Sequence, residues 1–145
     1  MDFSPDGKWI VYTSNRYDTL TLWKVPIDGG KPVQLTDYFA VLPTVSPDGK
    51  MIACLTRDET TGKPAISLVL FEGGRPMKVL GTRVAPAPLR WTPDGKTLLY
   101  VLDQDGVWNI WRQPLSGGPA EQVTGAGRGR GGVSCRHAGL PGCGR

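Results

Sequence analysis

The sequence predicts an all-β protein: three four-stranded antiparallel blades of an incomplete, open β-propeller. Two recurrences and the strands between them carry this expectation. A turn returns three times, as SPDGK at 4–8, SPDGK at 46–50 and TPDGK at 92–96. Gly-Gly recurs at 29–30, 73–74 and 117–118, a spacing of 44 residues both times. Short β-rich segments fill the intervals, and a fixed period of this length marks a propeller blade.

The elements follow in order. In the repeated turn, Pro presets the first turn position, Asp tolerates the second and Gly accepts positive φ, which between β-rich segments is a hairpin signal. The first strand of each unit precedes the turn, at Met1–Phe3, Val41–Val45 and Leu89–Trp91. The second follows it, at Trp9–Ser14, Met51–Thr56 and Thr97–Leu102. The third is expected at Leu20–Val25, Ile66–Phe71 and Asn109–Gln113. Gly-Gly breaks the chain, and a fourth strand follows at Val33–Thr36, Met77–Leu80 and Glu121–Thr124. No 3.6-residue apolar period competes with this reading.

The second strands are apolar on both faces. One face holds Ile10 and Tyr12, Ile52 and Cys54, Leu98 and Tyr100; the other holds Val11, Ala53 and Leu99, then Thr13, Leu55 and Val101. A sheet with one wet face alternates more cleanly, so each blade is expected to lie between neighbours. Cys54 takes the slot of Tyr12 and Tyr100 and reads as a small core residue. Trp23 and Trp111 share a slot in the third strand, with Ser67 between them in the overlay. These Trp side chains are expected to pack between sheets, each contributing about 1.5–3 kcal/mol.

Bulk properties narrow the function classes. The 145 residues are one domain's worth of chain, 39% hydrophobic and 21% charged, as in soluble globular proteins. The net charge of +4 sits entirely in the last 21 residues, which carry Arg128, Arg130, Arg136 and Arg145 and no acid. Residues 1–124 are neutral, which argues against a nucleic-acid partner and against base stacking by the Trp residues. No apolar run is long enough for a membrane segment, and MDFSPDGK has neither the basic start nor the apolar stretch of a secretory signal. The three Cys residues do not form a disulfide framework and leave the compartment undetermined.

SPDGK with its following aliphatic strand, IWRQPLSGG and EQVT together resemble the TolB-like propeller repeat, a WD-repeat-like blade marked by Pro-Asp-Gly. The resemblance covers residues 1–124. The wording from LTDYFAVLPTVSPDGKMIAC to LRWTPDGKTLLYVLDQDGVWNIWRQPLSGGPAEQVT is closest to the C-terminal propellers of bacterial serine/threonine protein kinases. The resemblance implies a non-catalytic protein-binding or sensing scaffold from a larger bacterial propeller protein, often periplasmic or extracytoplasmic. The alternative it implies is the propeller portion of a serine/threonine protein kinase or prolyl-oligopeptidase-like peptidase whose catalytic domain lies outside these residues. The chain itself shows no kinase signature and no Gly-x-Ser-x-Gly elbow, and its single His, His137, lies in the tail. No catalytic, cofactor-binding or metal-ligating residue is therefore assigned, and no cofactor is expected.

Two segments invite other readings. DQDGVWN at 103–109 has the alternating oxygens of a calcium loop's start but lacks the later ligands, and an Asp-Gly connection between strands accounts for it. In the tail, Cys135, His137 and Cys143 suggest zinc, RGRGG suggests an RNA-binding segment, and 15 of 21 residues are Gly, Ala, Arg or Pro, as a shifted reading frame in a GC-rich gene would give. The expected organisation is three blades at about 1–37, 38–81 and 82–124, followed by a disordered Gly/Arg-rich tail at 125–145. Three blades leave an apolar flank at each end, so self-association through those flanks is expected; two chains would complete the six-bladed ring associated with TolB-like propellers.

Overall fold

The computed structural model describes residues 1–80, 84–104 and 106–124. They form twelve strands in three four-stranded antiparallel sheets and, among the described residues, no helix. Blade one comprises β1 (Asp2–Phe3), β2 (Trp9–Ser14), β3 (Thr21–Pro26) and β4 (Val33–Gln34). Blade two comprises β5 (Ala40–Val45), β6 (Met51–Arg57), β7 (Pro64–Leu70) and β8 (Lys78–Leu80). Blade three comprises β9 (Arg90–Trp91), β10 (Thr97–Gln104), β11 (Val107–Pro114) and β12 (Glu121–Gln122). Each sheet is a simple meander with neighbours in chain order, and the arrangement is that of an incomplete propeller.

The repeated turn builds the same cage three times. Gly7, Gly49 and Gly95 close it by donating to the carbonyls of Ser4, Ser46 and Thr92, each at 2.8 Å. Their φ values of 70°, 70° and 67° are the left-handed geometry that favours Gly. The Ser4, Ser46 and Thr92 hydroxyls donate to the carboxylates of Asp6, Asp48 and Asp94. The same hydroxyl oxygens accept the N–H groups of Trp9, Met51 and Thr97, at 2.9, 2.9 and 3.1 Å, and so start the second strand. Each Asp also accepts the N–H of the Lys two residues on. This satisfies backbone groups that a tight turn would otherwise leave unpaired.

Two cores hold the blades together. Val11, Leu22 and Leu35 of blade one meet Ala40, Val45, Ile52, Cys54 and Val69 of blade two. Ala53, Leu55, Ile66, Leu68 and Leu80 on blade two's opposite face meet Leu89, Leu98 and Tyr100 of blade three. Blade two is thus apolar on both faces because each is covered by a neighbour.

Polar staples cross the same junctions. Asp2 Oδ2 accepts from Thr44 Oγ1 at 2.9 Å and from the Val45 N–H at 2.8 Å. Trp91 Nε1 donates to the Thr44 carbonyl at 3.1 Å. Lys24 is buried, yet its Nζ reaches the Phe71 carbonyl at 3.2 Å and Glu72 Oε2 at 2.7 Å.

One local feature has no signature in the repeat. The β5–β6 register shifts between Val41 and Thr44, and Leu42 sits at φ 53°. A β-bulge of this kind bends a strand and increases its twist.

Candidate functional site

The blades differ most at one slot. In blade one Tyr12 lies opposite Trp23 across β2 and β3. In blade three Tyr100 lies opposite Trp111 across β10 and β11. In blade two the same slot holds Cys54 opposite Ser67, with Val79 next in line on β8. Two large aromatic rings are replaced by two small side chains.

Blade two fills part of this deficit from elsewhere. Tyr38, in the connection between β4 and β5, packs against the core that contains Cys54. Its hydroxyl donates to the Gly74 carbonyl at 3.0 Å. Burial raises the Tyr38 phenol pKa well above its ordinary value. Beneath it, Thr56 Oγ1 and Ser67 Oγ share a hydrogen bond of 2.7 Å, and Cys54 Sγ points to the Ser67 carbonyl at 3.7 Å.

Beside Tyr38 lies a cleft of about 680 Å³, within the range of ligand-binding pockets. Its walls include Phe39, Arg57, Asp58 and Val79. The Arg57 guanidinium stacks over the Phe39 ring at 4.8 Å, and Arg75 and Glu59 form an exposed pair at 3.5 Å. Asp58 is tied to its own loop: it accepts from Thr61 Oγ1 at 2.8 Å and from the N–H groups of Thr61 and Thr60 at 2.7 and 3.1 Å. The Thr61 hydroxyl, foremost among these bonds, lowers the Asp58 pKa. Val79 is an exposed apolar wall. Aromatic, cationic, anionic and apolar groups converge at this cleft.

Burial pushes the Cys54 thiol up to about 12, so it does not ionise near neutral pH. The Ser67 hydroxyl is committed to Thr56. Among the described residues no group of three His, Cys, Asp or Glu side chains could hold a metal. In the 103–109 segment, Asp103 accepts the Gly106 N–H at 2.9 Å and Trp108 Nε1 at 3.2 Å, so its oxygens close a strand connection. Cys135, His137, Cys143 and the rest of 125–145 lie outside the described residues, as do the zinc, RNA and reading-frame interpretations placed on them.

The two Trp residues divide. Trp111 packs between blades two and three as expected, and its Nε1 has no hydrogen-bond partner among the described residues. Trp23 faces away from blade two, with no neighbouring sheet on that side among the described residues. It is nevertheless only 4% exposed. Tyr17 lies 5.9 Å from it, Arg16 stacks at 5.1 Å, and its Nε1 donates to Thr21 Oγ1 at 2.9 Å. The sequence overlay already held the sign of the blade-two cleft, in Cys54 and Ser67 standing where Tyr and Trp recur. Nothing in it pointed to Tyr38 as the compensating ring.

No protein-family model matches the chain. An uncharacterized protein of Agrobacterium fabrum is 30% identical over 114 residues, spanning 69% of this chain and 38% of that protein. A TolB homologue of Chlorobaculum tepidum is 30% identical over 125 residues, spanning 83% of this chain and 28% of that protein. The chain thus spans well under half the length of these curated relatives. Dipeptidyl-peptidase 5 of Aspergillus fumigatus is 26% identical over 139 residues, spanning 79% of this chain and 19% of that protein. Among solved structures, a TolB-assigned protein from Agrobacterium tumefaciens superposes with a TM-score of 0.69 at 29% identity, covering 85% of this chain and 44% of that one. In sequence and in blade architecture the chain is similar to TolB-like propeller proteins.

Proposed function

We propose that the chain is a non-catalytic scaffold that binds a protein partner at the end of the blades carrying the cleft. One observation carries this reading. The blades repeat closely in their strands and turns, yet differ at the connections around the cleft: residues 15–20 in blade one, 58–63 in blade two and only 105–106 in blade three. A rigid frame with variable connections at one end is a common design for recognition. The antiparallel meander puts the β4–β5 and β6–β7 connections at the same end, so Phe39 and Arg57 meet across the cleft.

The test is selection of binding peptides from a random library, followed by amide exchange. The reading expects protection at 38–39 and 56–61 and at least roughly tenfold weaker binding by Arg57→Ala. Peptides that bind elsewhere, or that ignore Arg57→Ala, would overturn it.

A second reading is the propeller of a larger enzyme, a prolyl-oligopeptidase-like peptidase or a serine/threonine kinase. The similarity to dipeptidyl-peptidase 5 favours the peptidase form. Sequencing the DNA on both sides of this reading frame tests it: an adjoining hydrolase or kinase domain supports the reading, and neither removes it.

A further inference from the structure

We propose that the place above Ser67, where the sister blades carry a Trp, takes an indole side chain from the protein partner, with an acidic group of the same segment on Arg57. This rests on the reading that the cleft binds a protein partner, and names what that partner presents there.

One cross-strand row recurs in the three blades, from second to fourth strand. It is Tyr12–Trp23–Gln34 in blade one and Tyr100–Trp111–Gln122 in blade three. In blade two it is Cys54–Ser67–Val79, so all three positions change together. Tyr38 brings a ring to the core that holds Cys54. The place of the Trp stays open, and the cleft reaches down there to Ser67, between Tyr38, Thr56 and Val79. The fourth-strand change has the same sense. Gln34 and Gln122 donate to the carbonyls of Thr36 and Thr124 and give their blades a polar rim. Val79 instead leaves an apolar wall 53% exposed beside the cleft. An exposed Val beside an open ring site suits an apolar group that the chain does not itself supply.

Polarity narrows the occupant. At the floor, the buried Thr56 and Ser67 hydroxyls share one hydrogen bond of 2.7 Å. One proton between two hydroxyl oxygens leaves lone pairs free to accept an N–H. In blade one a Thr hydroxyl does this for the chain's own indole: Thr21 Oγ1 accepts from Trp23 Nε1 at 2.9 Å. A phenyl or aliphatic group would leave the floor unanswered. At the rim, Arg57 lies over Phe39 and belongs to none of the ion pairs among the described residues. Asp58 next to it is held by the donors of Thr60 and Thr61. The rim therefore complements a carboxylate on the incoming segment.

N-acetyl-tryptophan, its amide and N-acetyl-leucine are the probes, each titrated into the isotope-labelled full chain and followed by amide chemical shifts. N-acetyl-tryptophan should shift the amides of 38–39, 56–57, 67 and 79. N-acetyl-leucine should bind about tenfold more weakly, and the amide roughly threefold more weakly for want of the carboxylate. Val79→Gln, at an exposed site, gives blade two the sister residue and should weaken N-acetyl-tryptophan about tenfold. Arg57→Ala should bring the acid and its amide to equal affinity. Ile27→Gln changes a comparably exposed apolar side chain on blade one and should alter nothing. Peptides selected on the cleft should carry Trp and bind more tightly than N-acetyl-tryptophan. Leucine and tryptophan probes of equal affinity overturn the inference, as does indifference to Val79→Gln. A free N-acetyl-tryptophan that binds as tightly as any selected peptide also overturns it, because the site then serves a small aromatic acid. Selected peptides that occupy the cleft without an indole overturn it and leave the protein-binding reading standing. No peptide at the cleft overturns both.

Discussion

The Gly74 N–H donates to the Leu35 carbonyl at 2.8 Å, so the Gly-Gly turn of blade two grips the end of blade one. The approach is close enough that a Cβ on Gly73 would stand 2.5 Å from the Leu35 oxygen and 2.9 Å from its Cα. Gly29 occupies the same turn position in blade one with the same φ of 91°, yet a Cβ there meets nothing within 4 Å. The pair separates backbone strain from collision. Gly29→Ala should cost about 1–2 kcal/mol, from the left-handed backbone alone. Gly73→Ala should cost roughly 1–3 kcal/mol more, because the blades must shift apart. Urea midpoints of the two variants check this, and equal losses would mean that the junction yields freely.

Lys24 and Glu72 should be unequal partners. The Lys24 side chain is 5% exposed and that of Glu72 81%. Lys24 also stacks over Phe71 at 4.5 Å and over Trp9 at 5.0 Å, and donates to the Phe71 carbonyl. Glu72→Gln should therefore cost no more than about 1 kcal/mol, as for solvent-facing pairs. Lys24→Ala removes the stem packing, both ring contacts and a backbone hydrogen bond, and should cost about 2–3 kcal/mol. Lys24→Met should recover a good part of that by restoring the stem. Thermal or urea unfolding of the three variants provides the comparison.

The strands were legible because period, turn chemistry and β-branched content agree. β2 spans the expected Trp9–Ser14, while β3 begins at Thr21 rather than Leu20, which is left exposed. β6 and β10 run past the expected Thr56 and Leu102, to Arg57 and Gln104. Fourth strands end earlier than expected, at Gln34 and Gln122, because beyond them two successive N–H groups converge on one carbonyl, Leu35 and Thr36 on Leu22, and Val123 and Thr124 on Ile110, which breaks the regular ladder. The candidate site was half legible. The overlay marks the missing rings at Cys54 and Ser67, but the compensation by Tyr38 comes from a connection outside the strand pattern. Arg57 over Phe39 joins residues on different connections, a contact that needs the chain path as well as the repeat. The shelter of Trp23 by Arg16 and Tyr17 is equally local to one irregular loop.

Cys54 should resist thiol reagents. It is fully buried, and the desolvation that pushes its pKa up to about 12 leaves almost no thiolate at pH 8. Iodoacetamide labelling followed by peptide mass spectrometry should find Cys54 unmodified in the native protein and modified in denaturant. Labelling at equal rates in both states would show that the junction of blades one and two opens readily.

If Tyr38 compensates for the small pair at Cys54 and Ser67, restoring the ring of the sister blades should overfill the junction. Cys54→Tyr is expected to destabilise by about 1–3 kcal/mol. Removing the competing ring with Tyr38→Ala in the same chain should recover part of that loss, a non-additivity on the order of 1 kcal/mol. Strict additivity in the double-mutant cycle would show that Tyr38 and residue 54 do not share the space.

Acid should loosen the three repeated turns together. Asp6, Asp48 and Asp94 all have pKa values lowered below the usual carboxylate range, chiefly by the hydroxyls of Ser4, Ser46 and Thr92 and then by the N–H groups of Lys8, Lys50 and Lys96. A folded value below the unfolded one means that the unfolded chain binds protons first as pH falls. The stabilisation is therefore complete above the unfolded value of about 3.9 and declines as pH drops through the lower folded values. Replacing the hydroxyl removes the first cause of the shift. Ser46→Ala should thus lose stability relative to wild type at pH 6, while the difference narrows as the pH falls through the lowered folded value of Asp48. Ser46 is chosen because its turn lies in the middle blade, where Gly49 faces Pro5 of the preceding turn and Pro47 faces Gly95 of the next. Urea midpoints of wild type and Ser46→Ala across that pH range are the measurement. A gap that stays constant from pH 6 to 2 would mean that the hydroxyl acts through the Met51 N–H alone and not through Asp48.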